Sequence, residues 1–152
     1  MEPSDVVRAA RGWLGTRFHH QGRIKKSHTH AGGVDCLGLL VGVAAELKLR
    51  QPEGLLLHEF DEQDYSHLPD TARLKCALDV LLLPLGSNPI QPADIVLLEV
   101  DGRAQHLGLI SDYAGGLGMI HAYAPARCVV EHALDEYWLS HLAGSYRLVC
   151  FK

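Results

Sequence analysis

The spacing of apolar residues changes period once along this chain, and that single change limits what it can fold into. Up to about residue 83 the apolar positions recur at helical intervals: Val6, Val7, Ala10 and Trp13-Leu14, then Leu37, Leu40, Val41, Ala44 and Leu47, then the run from Asp70 to Leu83. Beyond it the texture is one of short apolar runs bounded by turn residues, as in strands. Helices first and antiparallel strands afterwards is the α+β pattern. The expected fold class is therefore α+β, with N-terminal helices packed on a small antiparallel β-sheet. At 152 residues the chain is long enough for one ordinary core, so residues 1–152 are expected to form a single domain.

In detail, Ser4 is the expected N-cap of a first helix that Gly15 ends, and residues 15–34 form a polar loop. A second helix begins at Asp35 and runs to about Leu49. A polar, acidic connection covers residues 50–69, and a third helix fits Asp70 to Leu83. Strands follow at Asp94–Val100, His106–Ser111, Met119–Tyr123 and Cys128–Ala133, with Asp101-Gly102 as a hairpin turn between the first two. Asp135–His141 reads as a short helix and Ser145–Phe151 as a last strand.

The formal net charge is −4 and no basic stripe interleaves with aromatics, so nucleic-acid binding is not expected. The N-terminus Met1-Glu2-Pro3-Ser4-Asp5 has neither the basic nor the apolar region of a secretory signal, so the chain is expected to be cytoplasmic as synthesised. The run Val80 to Leu85 is too short for a membrane span. Four cysteines (Cys36, Cys76, Cys128 and Cys150) show no C-x-x-C spacing and are expected as free thiols.

Chemistry concentrates in Gly32-Gly33-Val34-Asp35-Cys36-Leu37-Gly38-Leu39, where a glycine-rich loop delivers a cysteine to the first turn of an apolar helix. Orphan N–H groups at a helix N-terminus stabilise negative charge, so a cysteine there is expected to have a depressed pKa. Gly33 leaves room for a substrate backbone to come close. Two readings of Cys36 stay open on position alone: a nucleophile, or a buried helix cysteine after an Asx cap. A nucleophile needs a base. His106 opens the apolar strand His106-Leu107-Gly108-Leu109-Ile110, and His121 sits in the next, Met119-Ile120-His121-Ala122-Tyr123. An adjacent antiparallel strand can place His121 where it orients the His106 ring and sets its tautomer.

These blocks, together with Pro92-Ala93-Asp94-Ile95-Val96-Leu97, resemble the NlpC family of cell-wall cysteine peptidases over nearly the whole chain. Trp13-Leu14-Gly15-Thr16 with His20-Gln21-Gly22-Arg23 is similar to the family's phage-associated branch. The resemblance implies a papain-like α+β fold and hydrolysis of peptide bonds in peptidoglycan stem peptides, typically between D-γ-glutamate and the diamino acid. It implies Cys36 as nucleophile, His106 as base, His121 as third polar residue, no cofactor, and phage-tail proteins or a virion as the setting. It also suggests that Asp35 binds a substrate ammonium, beside the plainer reading that Asp35 caps its own helix. Two positions depart from the family: Leu37 stands where a serine is usual, and Phe18 where a tyrosine often lies near the nucleophile. Phe18 has no hydroxyl to donate, so the backbone N–H of Cys36 becomes a candidate oxyanion donor.

His19, His20, His28 and His30 crowd one loop, and a polar substrate-facing loop is favoured over a metal site because their spacing is not that of structural zinc ligands. Arg17, Arg23, Lys25 and Lys26 of the same loop either meet stem-peptide carboxylates or are simply solvated. The stretch Glu59-Phe60-Asp61-Glu62-Gln63-Asp64-Tyr65 is a candidate lid. An acyltransferase or deamidase would use the same Cys–His pair, and a tail-assembly module without activity is the non-enzymatic alternative.

Overall fold

The computed structural model describes residues 1–62, 65 and 70–151. Four α-helices (α1 Pro3–Arg11, α2 Cys36–Glu46, α3 Thr71–Leu81, α4 Glu136–Leu139) accompany eight strands. Strands β1 (Arg23–Ile24) and β2 (Gly33–Val34) form a two-residue antiparallel ladder inside the loop before α2. The other six are β3 Leu83–Pro84, β4 Ile95–Val100, β5 Arg103–Tyr113, β6 Gly116–Tyr123, β7 Cys128–Ala133 and β8 Leu142–Arg147. They make one sheet in the order β3-β8-β4-β5-β6-β7, antiparallel throughout.

Strand residues point alternately to opposite faces, and both faces of this sheet are covered. That explains the unbroken apolar run Ile95-Val96-Leu97-Leu98, buried at all four positions. Ile95, Leu97, Leu107, Leu109, Ile120 and Ala122 pack with Val6, Val7 and Ala10 of α1, Leu39 and Val43 of α2 and Leu78 of α3 in the main core. Val96, Leu98, Ile110 and Met119 face the other way, into a smaller cluster closed by Trp138 on α4. Two ion pairs tie elements together. Arg11 of α1 reaches Glu131 of β7, with Nη2 2.8 Å from a carboxylate oxygen. Arg147 of β8 grips Asp94 through Nε and Nη2, both at 2.8 Å, while Asp94 also accepts from the Gln91 N–H.

The element boundaries correct several expectations. The first helix starts at Pro3, with Glu2 and Asp5 forming a reciprocal capping box, so Ser4 lies inside it; it ends at Arg11 rather than Gly15. Pro3 is the reason, since proline's fixed φ suits the first helical position. α2 stops at Glu46 and α3 at Leu81, because Leu83–Pro84 pairs with β8 as the sheet's edge strand. Proline is tolerated there because an edge strand has one unpaired side. The last strand begins at Leu142, and Val149–Phe151 is a 3-10 turn. Within the acidic connection, Leu57–Phe60 forms another 3-10 turn; Gln63 and Asp64 of the candidate lid lie outside the described residues. No helix among the described residues is long and apolar enough to cross a membrane.

Candidate active site

Asp35 is the N-cap of α2, its Oδ1 accepting from the Gly38 N–H at 2.8 Å, which sets Cys36 at the first helical position. Gly38 is required twice over. Its N–H serves the cap, and a Cβ there would lie 2.2 Å from the Gly22 carbonyl oxygen. The Asp-Cys-x-Gly spacing is thus the signature of a capped helix start pressed against the Gly22 turn that leads into β1.

Along β5, Ile110 spends its N–H and C=O on the β4 side, bonding Asp94 and Ala93. By strand alternation the Leu107 N–H points to the β6 side. The β5–β6 register, however, runs only from Leu109↔Ile120 to Tyr113↔Gly116. Leu107 therefore lies past the end of the ladder, and its N–H is left on the Cys36 side, where it favours the thiolate. His106 is the next residue along β5 and is buried, with 8% exposure.

His106 and His121 meet as the sequence suggests. His106 Nε2 lies 2.6 Å from His121 Nδ1, and His121 is fully buried. The chain does not stop there, because His121 Nε2 lies 2.8 Å from Nε2 of His132 on β7. No motif or spacing in the sequence marks His132. Its place follows from the β6–β7 register, which opposes His121 to Val130 and Met119 to His132. Tyr123 stacks on His121 and Trp138 on His132, both at small interplanar angles.

The electrostatics differ from the expectation for Cys36. Burial first, and the Asp35 carboxylate second, push its thiol up to about 12, outweighing the N–H groups of Leu107, Leu37 and Cys36 that favour the thiolate. A helix N-terminus lowers a thiol pKa, but here the cap that makes the terminus carries a negative charge of its own. Burial also pulls His106 down to about 4, and burial together with its two histidine neighbours pulls His121 lower. At rest the thiol and the imidazole are consequently both neutral.

Asp35 has four donors: the Gly38 N–H and Arg23 Nη1 on Oδ1, the Gln21 N–H and the Tyr65 hydroxyl on Oδ2. Four donors use up the lone pairs of a carboxylate, so in this arrangement Asp35 acts as cap and ion-pair partner, with no acceptor position left for a substrate ammonium. Arg23 joins Asp35 to Asp61, whose oxygens accept from Nε at 2.9 Å and Nη2 at 3.0 Å, and to the Tyr65 hydroxyl. Those bonds hold its guanidinium firmly protonated in spite of burial, which works the other way. His20 lies against the same segment, its Nε2 3.2 Å from the Tyr65 carbonyl oxygen. Gly33 is buried under His19 and pairs with Ile24, and Phe18 bridges to Val34 and packs on the main core.

A cleft of about 560 Å³ opens beside Cys36. Leu37, Leu57, Phe60, Leu78 and Leu107 give it apolar walls, and Asp61, Glu62 and Tyr65 line it from the candidate lid. Of the expected site residues Asp35 and Cys36 line it, whereas Gly33, Phe18, His20, Arg23, His106 and His121 do not. No group of three or more His, Cys, Asp or Glu among the described residues is placed to hold a metal ion, the histidines of the 19–30 loop included.

No protein-family model matches the chain, and no curated protein matches it in sequence. Solved structures do. The NlpC/p60 domain of the peptidoglycan hydrolase SagA superposes with a TM-score of 0.62 at 13% identity, covering 97% of this chain and 100% of that one. An NlpC/p60 family protein from Bacillus cereus gives 0.63 at 16% identity, over 98% of this chain and 41% of that one. The peptidoglycan hydrolase RipB from Mycobacterium tuberculosis gives 0.56 at 19% identity, over 96% and 64%. The helices and the six-stranded antiparallel sheet of this chain have the α+β fold of the NlpC/p60 domains.

Proposed function

We propose that this protein is a cysteine hydrolase that cleaves peptide bonds in peptidoglycan stem peptides. The observation that carries the reading is Cys36 at the Asp35-capped start of α2, facing the Leu107 end of β5, with His106 the next residue along that strand and its Nε2 engaged by His121. That leaves His106 Nδ1, which makes no other hydrogen bond among the described residues, as the nitrogen able to take the thiol proton. The D-γ-glutamyl–diamino acid bond is the proposed target, resting on the resemblance of the Asp-Cys-x-Gly and His-x-Gly blocks. The peptidoglycan hydrolases with the same fold support the substrate class.

In this mechanism His106 Nδ1 removes the thiol proton as the sulfur attacks the amide carbonyl carbon, because neither group is charged at rest. The backbone N–H of Cys36, at the start of α2, is the assigned oxyanion donor. The tetrahedral intermediate collapses when the His106 imidazolium returns its proton to the leaving nitrogen, giving a thioester on Cys36. Water, deprotonated by the same imidazole, releases the acid. Phage-tail proteins are proposed as partners on the resemblance of the Trp13–Thr16 and His20–Arg23 stretches alone. A second reading is favoured by the apolar walls of the cleft: acyl transfer to an amine, with an apolar group lodged against Leu37, Leu57 and Leu78.

The test is incubation with muropeptides carrying the L-Ala–D-γ-Glu–diamino acid stem, with products identified by mass spectrometry and Cys36→Ala run in parallel. Cleavage by the wild type alone supports the reading and locates the bond. Equal cleavage by both proteins sinks Cys36 as nucleophile, and a product that captures added amine rather than water selects acyl transfer.

A further inference from the structure

The three buried or half-buried imidazoles form a directed chain, and its direction is fixed at the end farthest from the thiol. His132 Nδ1 lies 2.9 Å from the carbonyl oxygen of Ala133. A carbonyl only accepts, so this nitrogen carries a hydrogen. In neutral His132 the other nitrogen, Nε2, is then bare and must accept. Its partner at 2.8 Å, His121 Nε2, is therefore the donor, which leaves His121 Nδ1 bare. That nitrogen in turn accepts from His106 Nε2 at 2.6 Å, which leaves His106 Nδ1 bare. His121 is fully buried, with Tyr123 stacked on its ring, so the middle link of the chain has no water to supply an alternative partner.

We propose that His132 is a positioning residue that sets the tautomer of the base: anchored on the Ala133 carbonyl, it obliges His106 to present an unprotonated Nδ1 to Cys36. The inference rests on the proposed role of His106 as base. It assigns the tautomer to a backbone carbonyl three links away rather than to His121, which, with one donor and one acceptor nitrogen, passes the direction on without choosing it. Reversing the chain would put the hydrogen on His106 Nδ1 and close the base to the thiol.

The decisive variants give position 132 opposite hydrogen-bonding characters on side chains of similar reach. His132→Glu accepts only, and keeps the direction. His132→Lys donates only, and reverses it. Imidazole ¹⁵N NMR reads the outcome directly and needs no substrate, so it stands apart from the peptidoglycan reading. In the wild type it should show His106 and His121 protonated on Nε2 and His132 on Nδ1. His132→Glu should keep the hydrogen of His106 on Nε2, and His132→Lys should move it to Nδ1. The rate of Cys36 alkylation by iodoacetamide, read by peptide mapping, should stay within about threefold of wild type in the first variant and fall tenfold or more in the second, by analogy with the cost of a wrong histidine tautomer in other nucleophile–base pairs. Charge at position 132 alone would change the rate without moving the hydrogen. A wild-type His106 protonated on Nδ1 overturns the proposal even if neither variant folds. So does an unchanged His106 tautomer in a folded His132→Lys, or an equal loss of alkylation in both variants.

Discussion

Arg23→Met isolates the electrostatic anchor beneath the site. Methionine keeps much of the aliphatic volume and removes the guanidinium. The Arg23, Asp35 and Asp61 side chains are 13%, 6% and 16% exposed, so this is a buried charge cluster and not a surface pair. Breaking a buried pair by deleting one partner costs about 3–5 kcal/mol, because the other charge stays behind uncompensated. Asp35 would retain its Gly38, Gln21 and Tyr65 donors. That places the expected loss at the lower end, about 3 kcal/mol. For a domain of this size that corresponds to a fall in Tm of about 6–12 °C. Urea unfolding of wild type, Arg23→Met, Asp61→Asn and the double variant supplies the measurement. The double variant should lose less than the sum of the two single losses, by at least about 1 kcal/mol of coupling. A second consequence is local: without Arg23 the Asp35 charge acts on Cys36 unopposed, so thiol alkylation should slow. A loss under about 1 kcal/mol would match a screened surface pair and refute the assignment of a buried anchor.

Asp94→Ala removes both oxygens that Arg147 grips and the acceptor of the Gln91 N–H, and should cost about 3 kcal/mol in a chemical melt, whereas Asp94→Asn should cost less. Gly38→Ala brings a Cβ to 2.2 Å from a backbone oxygen that cannot rotate away. Its expected destabilisation is about 3 kcal/mol, the upper end for overpacking, and a neutral result in the same melt would show that the backbone at Gly22 yields. Stability should also depend on pH. His106 and His121 are held below their ordinary value of 6.5, His106 near 4. The unfolded chain therefore takes up protons first, and the stability present above about pH 6.5 is lost as pH falls toward 4, by up to about 1.4 kcal/mol per pH unit for each histidine. Urea midpoints at pH 7 and pH 5 check the sign, and His121→Gln should flatten the slope.

Much of this architecture was legible because its signals are local. The Asp35 cap, the Cys36 helix start and the alternation around His106 and His121 are each written within a few residues. The α+β class follows from one change of period. What escaped depends on contacts between distant segments. Arg23 and Tyr65 are 42 positions apart, and the acidic stretch that carries Tyr65 has no periodicity to announce a partner. His132 looks like an unremarked polar residue of Cys128-Val-Val-Glu-His-Ala133 until the β6–β7 register sets it diagonally across from His121. That register could be anticipated from a hairpin alignment, since the same-face positions Val130 and His132 flank His121. The thiol departs from its expectation for a different reason. A helix dipole is a general feature, whereas the opposing terms, burial and the Asp35 charge, belong to this fold and outweigh it.

The central claim is covalent acyl chemistry at Cys36 with His106 as base. The most direct measurement is the intact mass of the protein, acid-quenched during turnover of a stem-peptide substrate, with the adduct mapped by peptide digestion. The account predicts a thioester of the acyl fragment on the Cys36 peptide, absent in Cys36→Ala and scarcely formed in His106→Gln. Product formation at the wild-type rate by Cys36→Ala, or an adduct mapped to Cys76, Cys128 or Cys150, would contradict it.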